Sequence, residues 1–190
     1  HQLRVWDVHH PADSRAINVV QAHVGAVLAV AVSPDGQVLA TGDQHKLVRL
    51  WAVDSGQQLC TLSGHTAPVK SVVFSPDGRY LVSTGDDGAV RLWDVAQRCA
   101  LKTLGNHPNH ANRVAYHPRG EFVASSGHKD VVRVWDLRPQ GGGRLLHSLM
   151  PPQAGRTPSA FGVAFSPDGC YVASVHGGDT VYVWDVASGQ

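Results

Sequence analysis

The five tryptophans of this chain fall at positions 6, 51, 93, 135 and 184, at spacings of 45, 42, 42 and 49 residues. A period of roughly 40 to 45 residues marks an array of small units that bury their apolar faces only by stacking on one another. The intervening segments superimpose. Thr61-Leu62-Ser63-Gly64-His65 matches Thr103-Leu104-Gly105-Asn106-His107, and Gln21-Ala22-His23 holds the same place upstream. Apolar alternations follow over Val27–Val32, Val69–Phe74, Ala111–Tyr116 and Ala160–Phe165. Each ends in a turn: Ser33-Pro34-Asp35-Gly36, Ser75-Pro76-Asp77-Gly78, His117-Pro118-Arg119-Gly120 or Ser166-Pro167-Asp168-Gly169. Proline presets φ at the second position of such a turn, and glycine takes the left-handed conformation at the fourth. A second strand follows (Tyr80–Ser83 and its equivalents), then a tight turn such as Asp86-Asp87-Gly88 and a third strand closing on the tryptophan. Weaker fourth strands are predicted over Gln57–Leu62, Ala100–Leu104 and Arg144–Leu149. Period-two alternation bounded by Gly, Pro and Asp is the signal of strands, and no stretch carries a helical period. The prediction is an all-β β-propeller of four-stranded antiparallel blades, each covering its neighbour's face.

The Trp-Asp pairs at 6/7, 93/94, 135/136 and 184/185 resemble the WD-repeat (WD40) family over essentially the whole chain; Trp51-Ala52 departs from the pattern. The resemblance implies a buried hydrogen-bond network in each blade, built from a His, a Ser or Thr, a turn Asp and the Trp. His23, His65 and His107 each lie 28 residues before Trp51, Trp93 and Trp135, and Thr41, Ser83, Ser125 and Ser174 each lie ten before their Trp, the last before Trp184. Only the Trp93 repeat has the full set, with Asp87 in the turn. His45, Lys129 and Gly178 stand at the Asp position elsewhere, with Asp130 and Asp179 one residue on. Arg156 takes the His position of the last repeat, and a guanidinium has no acceptor with which to replace an imidazole. The Trp93 blade is therefore expected to be the stiffest and the Trp184 blade the loosest.

Carried over residue by residue, the family's partner-contact positions fall on Ala26, Leu28 and Gln44, on Pro68, Lys70 and Asp86, on His110, Asn112 and His128, and on Ser159, Phe161 and Gly177. The candidates are Leu28 and Phe161 as apolar anchors, Lys70, Asp86 and Asn112 for specificity, and Gln44, His110 and His128 beside them. Val134-Trp135-Asp136-Leu137-Arg138 also resembles the W-D-x-R pattern of WD-repeat substrate receptors of cullin-RING ubiquitin ligases, which makes Arg138 a candidate adaptor contact. Repeats are expected at about 15–53, 57–95, 99–137 and 144–186, after the end of an earlier repeat in 1–14. Propellers close with roughly four to eight blades. The expectation is a segment of a larger propeller whose remaining blades come from further parts of the same chain.

Charge and chemistry narrow the function. Sixteen Lys and Arg balance 15 Asp and Glu, for a net charge of +1, which gives no footprint for holding a polyanion by counterion release. Nucleic acid is therefore not the expected partner, and Arg49, Arg91 and Arg133, each two before a Trp, read as strand residues facing a neighbour. No apolar run approaches the roughly 20 residues of a membrane span. Cys60, Cys99 and Cys170 form no close pair and no ligand spacing, as expected of reduced thiols in an intracellular protein of cytoplasm or nucleus. Among the twelve His, His107, His110 and His117 have no Cys or carboxylate near in sequence to complete a tetrahedral set, and His9, His10 and Asp13 form only a short surface cluster; no metal and no cofactor are expected. Some propellers are hydrolases, so the fold alone leaves catalysis open. Here there is no nucleophile elbow, and Gly141–Gly143 precedes no Lys-Ser/Thr of a phosphate loop. The expected function is a non-catalytic scaffold for proteins or peptides, with the ligase receptor as the alternative.

Overall fold

The computed structural model describes residues 3–6, 16–20, 25–129, 131–152, 159–177 and 180–190. The first described sheet pairs β1 (Leu3–Trp6) with β2 (Ala16–Val20). Next comes a blade of β3 (Val27–Val32), β4 (Val38–Asp43), β5 (Val48–Ala52) and β6 (Gln58–Leu62), joined antiparallel in that order. The pattern repeats with β7 (Val69–Phe74), β8 (Tyr80–Gly85), β9 (Ala89–Asp94) and β10 (Cys99–Asn106), and again with β11 (Ala111–Tyr116), β12 (Phe122–Gly127), β13 (Val132–Asp136) and β14 (Arg144–Leu149). The last sheet has three described strands, β15 (Ala160–Phe165), β16 (Tyr171–His176) and β17 (Thr180–Asp185). These are blades of a β-propeller, and their innermost strands β3, β7, β11 and β15 lie side by side in sequence order.

The turns explain the regularity. Gly36, Gly78, Gly120 and Gly169 adopt φ of 74°, 72°, 75° and 79°, the left-handed region that glycine enters without a Cβ penalty. In three of the four blades a serine caps the hairpin: Val38 N, Tyr80 N and Tyr171 N each donate at 2.9 Å to Oγ of Ser33, Ser75 and Ser166. The third blade has His117 there. Its Nδ1 accepts from Arg119 N at 3.2 Å, and the ring reaches across the seam. It stands edge-on to Phe122 (5.2 Å) and to Phe165 of the next blade (5.3 Å).

The core lies in the seams between blades. Ala40, Val48, Leu50 and Leu62 of one blade pack with Val72, Phe74 and Trp93 of the next. Val82, Val90 and Leu104 meet Val114 and Trp135, and Val132, Val134 and Leu149 meet Val172 and Trp184. The two end faces are uncovered by comparison. Val72 and Val114 are 6% and 8% exposed, whereas Val30, at the matching position of β3, is 56% exposed. Val132 and Val134 are fully buried, whereas Val181 and Val183 of β17 are 61% and 63% exposed.

Candidate functional site

Each blade is pinned by one buried hydroxyl. In the Trp93 blade Ser83 Oγ accepts from the indole Nε1 at 2.8 Å and lies 2.7 Å from His65 Nε2. The other imidazole nitrogen, Nδ1, sits 2.9 Å from Asp87, whose carboxylate also accepts from Thr66 N (2.8 Å) and Ala89 N (3.1 Å). Burial alone would raise the Asp87 carboxyl, but His65 and the two amides together outweigh it and hold it at about 2. Trp135 repeats the arrangement, with Nε1 2.9 Å from Ser125 Oγ and His107 Nε2 at 2.8 Å. In the Trp51 blade Nε1 donates to Thr41 Oγ1 at 2.9 Å. Two residues along the same strand, the buried Asp43 accepts from Arg49 (2.6 Å) and Leu47 N (2.9 Å). His23 lies outside the described residues, as do His9, His10, Asp13, Asp130, Arg156, Gly178 and Asp179.

The last blade has its own solution, which the repeat alignment missed. Trp184 Nε1 donates to Ser174 Oγ at 2.8 Å, and the imidazole beside that hydroxyl is His176, Nε2 at 3.0 Å, from the same strand. Its Nδ1 has no hydrogen-bond partner, and Tyr182 packs edge-on against the ring at 5.3 Å. The position two residues after the strand hydroxyl differs among the blades, being Asp43, Gly85, Gly127 and His176. It is Gly85 in the Trp93 blade, where a Cβ would stand 2.7 Å from Pro68 O and 3.2 Å from His65 Nδ1. A side chain at Gly85 would crowd the loop histidine, His65, and in the last blade the histidine stands at this position itself. Period-two spacing from Ser174 was the available signal.

Native-state exchange of the indole N–H groups reads these locks directly. Trp93 is expected to exchange slowest, Trp184 fastest of the four buried indoles, and Trp6, which is 49% exposed, fastest of all; equal rates for Trp93 and Trp184 would remove the ranking. The same groups set the acid response. Burial lowers the pKa of His176 and of His117, the latter against an opposing pull from Glu121. Their stabilising effect is complete above the ordinary histidine value of about 6.5 and is lost as pH falls below it. Asp87 adds a second loss from 3.8 toward about 2. The thermal midpoint should be flat from neutral pH up to the thiol range near 9.0, where the half-buried Cys60 begins to oppose it, and should fall in these two stages on acidification, with H176Q shrinking the first; a midpoint rising as pH falls from about 7 to 5 would contradict the burial of neutral imidazoles.

At one end of the blades, six of the eight candidate contact residues converge. Lys70, Asp86, His110, Asn112, His128 and Phe161, from three consecutive repeats, line one open recess of about 530 Å³. Leu28 and Gln44 are exposed but do not line it. A backbone device recurs beneath them. In every blade the ladder between first and second strands shifts register, so that Leu28, Lys70, Asn112 and Phe161 are each the extra residue of a β-bulge. A bulge turns a side chain away from the pleat, here in the same way four times. Within the recess Lys70 Nζ lies 3.2 Å from Asp86. His110 Nδ1 donates to Asp86 O at 3.0 Å, and Asn112 Nδ2 donates to Ala160 O at 2.9 Å. His128 stacks obliquely 5.8 Å from His110, and its Nδ1 is 3.1 Å from Ser159 Oγ. Arg113, which the family positions did not include, completes the wall by donating to Lys70 O at 2.8 Å.

The remaining candidates are placed elsewhere. Arg138 sits at the opposite end, forked onto the fully buried Asp136 at 3.0 and 2.8 Å, with its guanidinium 4.8 Å from the Phe122 ring centre. Arg49 and Arg91 point within their blades, to Asp43 (2.6 Å) and Thr103 (3.3 Å), and Arg133 reaches Asn106 O at the end of β10 in the preceding blade (2.6 Å), rather than into a basic ring. Cys60, Cys99 and Cys170 are free thiols. Among the described residues no group of three or more His, Cys, Asp or Glu is arranged to hold a metal ion, and no helix is long and apolar enough to cross a membrane.

Comparison with known proteins agrees with the repeat. The profile of the family described as "WD domain, G-beta repeat" matches residues 14–52, 56–94, 98–136 and 151–185. An uncharacterized WD repeat-containing protein of Nostoc sp. is 45% identical over 49 residues, 26% of this chain and 3% of that protein. U3 small nucleolar RNA-interacting protein 2 of Homo sapiens is 45% identical over 42 residues, 22% of this chain and 9% of the relative, and the Mus musculus protein matches equally. The matched stretches thus span a small fraction of these relatives' lengths.

Proposed function

This chain belongs to the WD40-repeat family, and on that premise we propose that it is a non-catalytic scaffold that binds proteins or peptides through the recess at Lys70–Phe161. The observation that carries the reading is the convergence of six side chains from three repeats on one recess, three of them, Lys70, Asn112 and Phe161, being bulged residues. Residues so far apart in sequence and so close in space suit the recognition of a partner that spans several blades. The uncovered faces at Val30 and at Val181 and Val183 serve, in this reading, as seats for further blades of the same polypeptide. Two relatives are named for interacting with U3 small nucleolar RNA. For this chain the name supports a place in an RNA-associated complex in the nucleus, while the reading of contacts to protein rests on the recess.

Affinity purification from cells tests this with three forms of the chain. The Asn112→Ala/Phe161→Ala variant should lose partners that the unaltered chain retains. Arg138→Ala should keep them, because Asp136 and Phe122 already occupy that guanidinium. Partners lost with Arg138→Ala and retained by the recess variant would overturn the proposal in favour of the ligase-adaptor reading.

A further inference from the structure

We infer that the recess takes an acidic peptide segment, with carboxylates on its Lys70–Arg113–His128 side and an aliphatic residue against Phe161; this rests on the scaffold reading of the same site.

Hydrogen-bond capacity decides the sign of the ligand. Arg113 is an exposed side chain that donates one bond, to Lys70 O, and a guanidinium carries five N–H donors. Lys70, 38% exposed at its side chain, makes one ion pair, with Asp86. Ser159 Oγ accepts from Lys129 N at 2.9 Å and lies 3.1 Å from His128 Nδ1, where a hydroxyl satisfies either tautomer of the ring. Asp86 is the carboxylate of the recess, and Lys70 and His110 flank it on two sides (3.2 and 3.4 Å). The donors left over thus outnumber the acceptors and carry the net positive charge, so a complementary partner must bring acceptors with negative charge.

The recess favours a peptide over a nucleic-acid strand. Single strands are held by successive aromatic platforms along a basic track. Here Phe161, at 53% exposure, is the one hydrocarbon ring, the His110 and His128 rings lie against each other at 5.8 Å rather than along a track, and a carboxylate lies among the cations. One half-exposed ring beside a cluster of donors fits an aliphatic side chain flanked by carboxylates.

The test is fluorescence anisotropy on the 190-residue chain with three labelled probes of equal length: a glutamate peptide with a central leucine pair, the same peptide with lysine for glutamate, and oligouridine. The acidic peptide should bind, and Lys70→Gln/Arg113→Gln should weaken it by about tenfold. Phe161→Ala should weaken it several-fold, and Arg79→Gln, in the turn at the opposite end of the blades, should leave it unchanged. Circular dichroism confirms that each variant is folded. If the lysine peptide or oligouridine binds as well and is lost in the same variants, the acidic assignment is overturned while the recess remains the binding surface. If the acidic peptide fails to bind, or binds with no response to the recess substitutions, both the assignment and the recess reading fall.

Discussion

Ser83→Ala is expected to destabilise the chain by about 2–4 kcal/mol, because one hydroxyl serves two buried groups that would both lose their partner. Ser83 is fully buried, Trp93 is 1% exposed and His65 is 6% exposed, so water cannot readily replace the lost oxygen. The indole N–H at 2.8 Å and the imidazole at 2.7 Å have no second oxygen described within reach. The loss should also be non-additive. Trp93→Phe removes the N–H and leaves Ser83 paired with His65. Combining it with Ser83→Ala should therefore cost less than the two separate losses, since residues in one network couple. Urea unfolding of the four proteins measures this. Strict additivity, or a Ser83→Ala loss no larger than that of an exposed serine, would show that the hydroxyl is not the junction of the network.

The second large effect lies at the seam between the third and fourth blades. Gly169 has φ +79°, and a Cβ there would stand 2.1 Å from His117 Nε2. The ring cannot swing aside easily, since Phe122 and Phe165 hold it edge-on and it is 1% exposed. Gly169→Ala is accordingly expected to cost about 2–5 kcal/mol, the left-handed backbone and the overpacking each contributing. His117→Ala removes the ring and creates a cavity. The double variant should recover part of the Gly169→Ala loss, because the new methyl enters the space the imidazole leaves. No recovery would place the whole penalty in the backbone and deny that His117 seals the seam.

Much of the fold was legible because the repeat reports itself. Five indoles gave the period, and the Ser-Pro-Asp-Gly turns gave the hairpins, which form where the sequence predicts them. The weaker fourth strand of the second blade runs over Cys99–Asn106, longer at both ends than the predicted Ala100–Leu104. Its outer position in the sheet leaves little alternation to read.

The site was legible in part. Lys70, Asp86, His110, Asn112, His128 and Phe161 meet as the family positions implied, and Lys70, Asn112 and Phe161 do so through a bulge. A bulge is a property of pairing between two strands, and neither strand's sequence displays it alone. Arg113 is hidden for the same reason: alternation in β11 assigns it a face, and the wall it forms depends on its reach to Lys70 O in the preceding blade. His176 was hidden differently. By repeat spacing the histidine position falls on Arg156, whereas the last blade supplies a histidine from its second strand. His117 reads in sequence as a departure from the serine turn, and only the neighbouring Phe165 and Gly169 reveal its role as a contact between blades.

The central claim, that the blades form a rigid frame presenting one recess to a protein partner, is tested most directly by hydrogen exchange on the chain with and without the partner it retains from cells. Protection should appear at residues 69–71, 85–87, 110–113, 127–129 and 159–162 and be absent from the Arg119 and Arg138 turns. A footprint on those turns, with the recess exchanging as in the free chain, would contradict it.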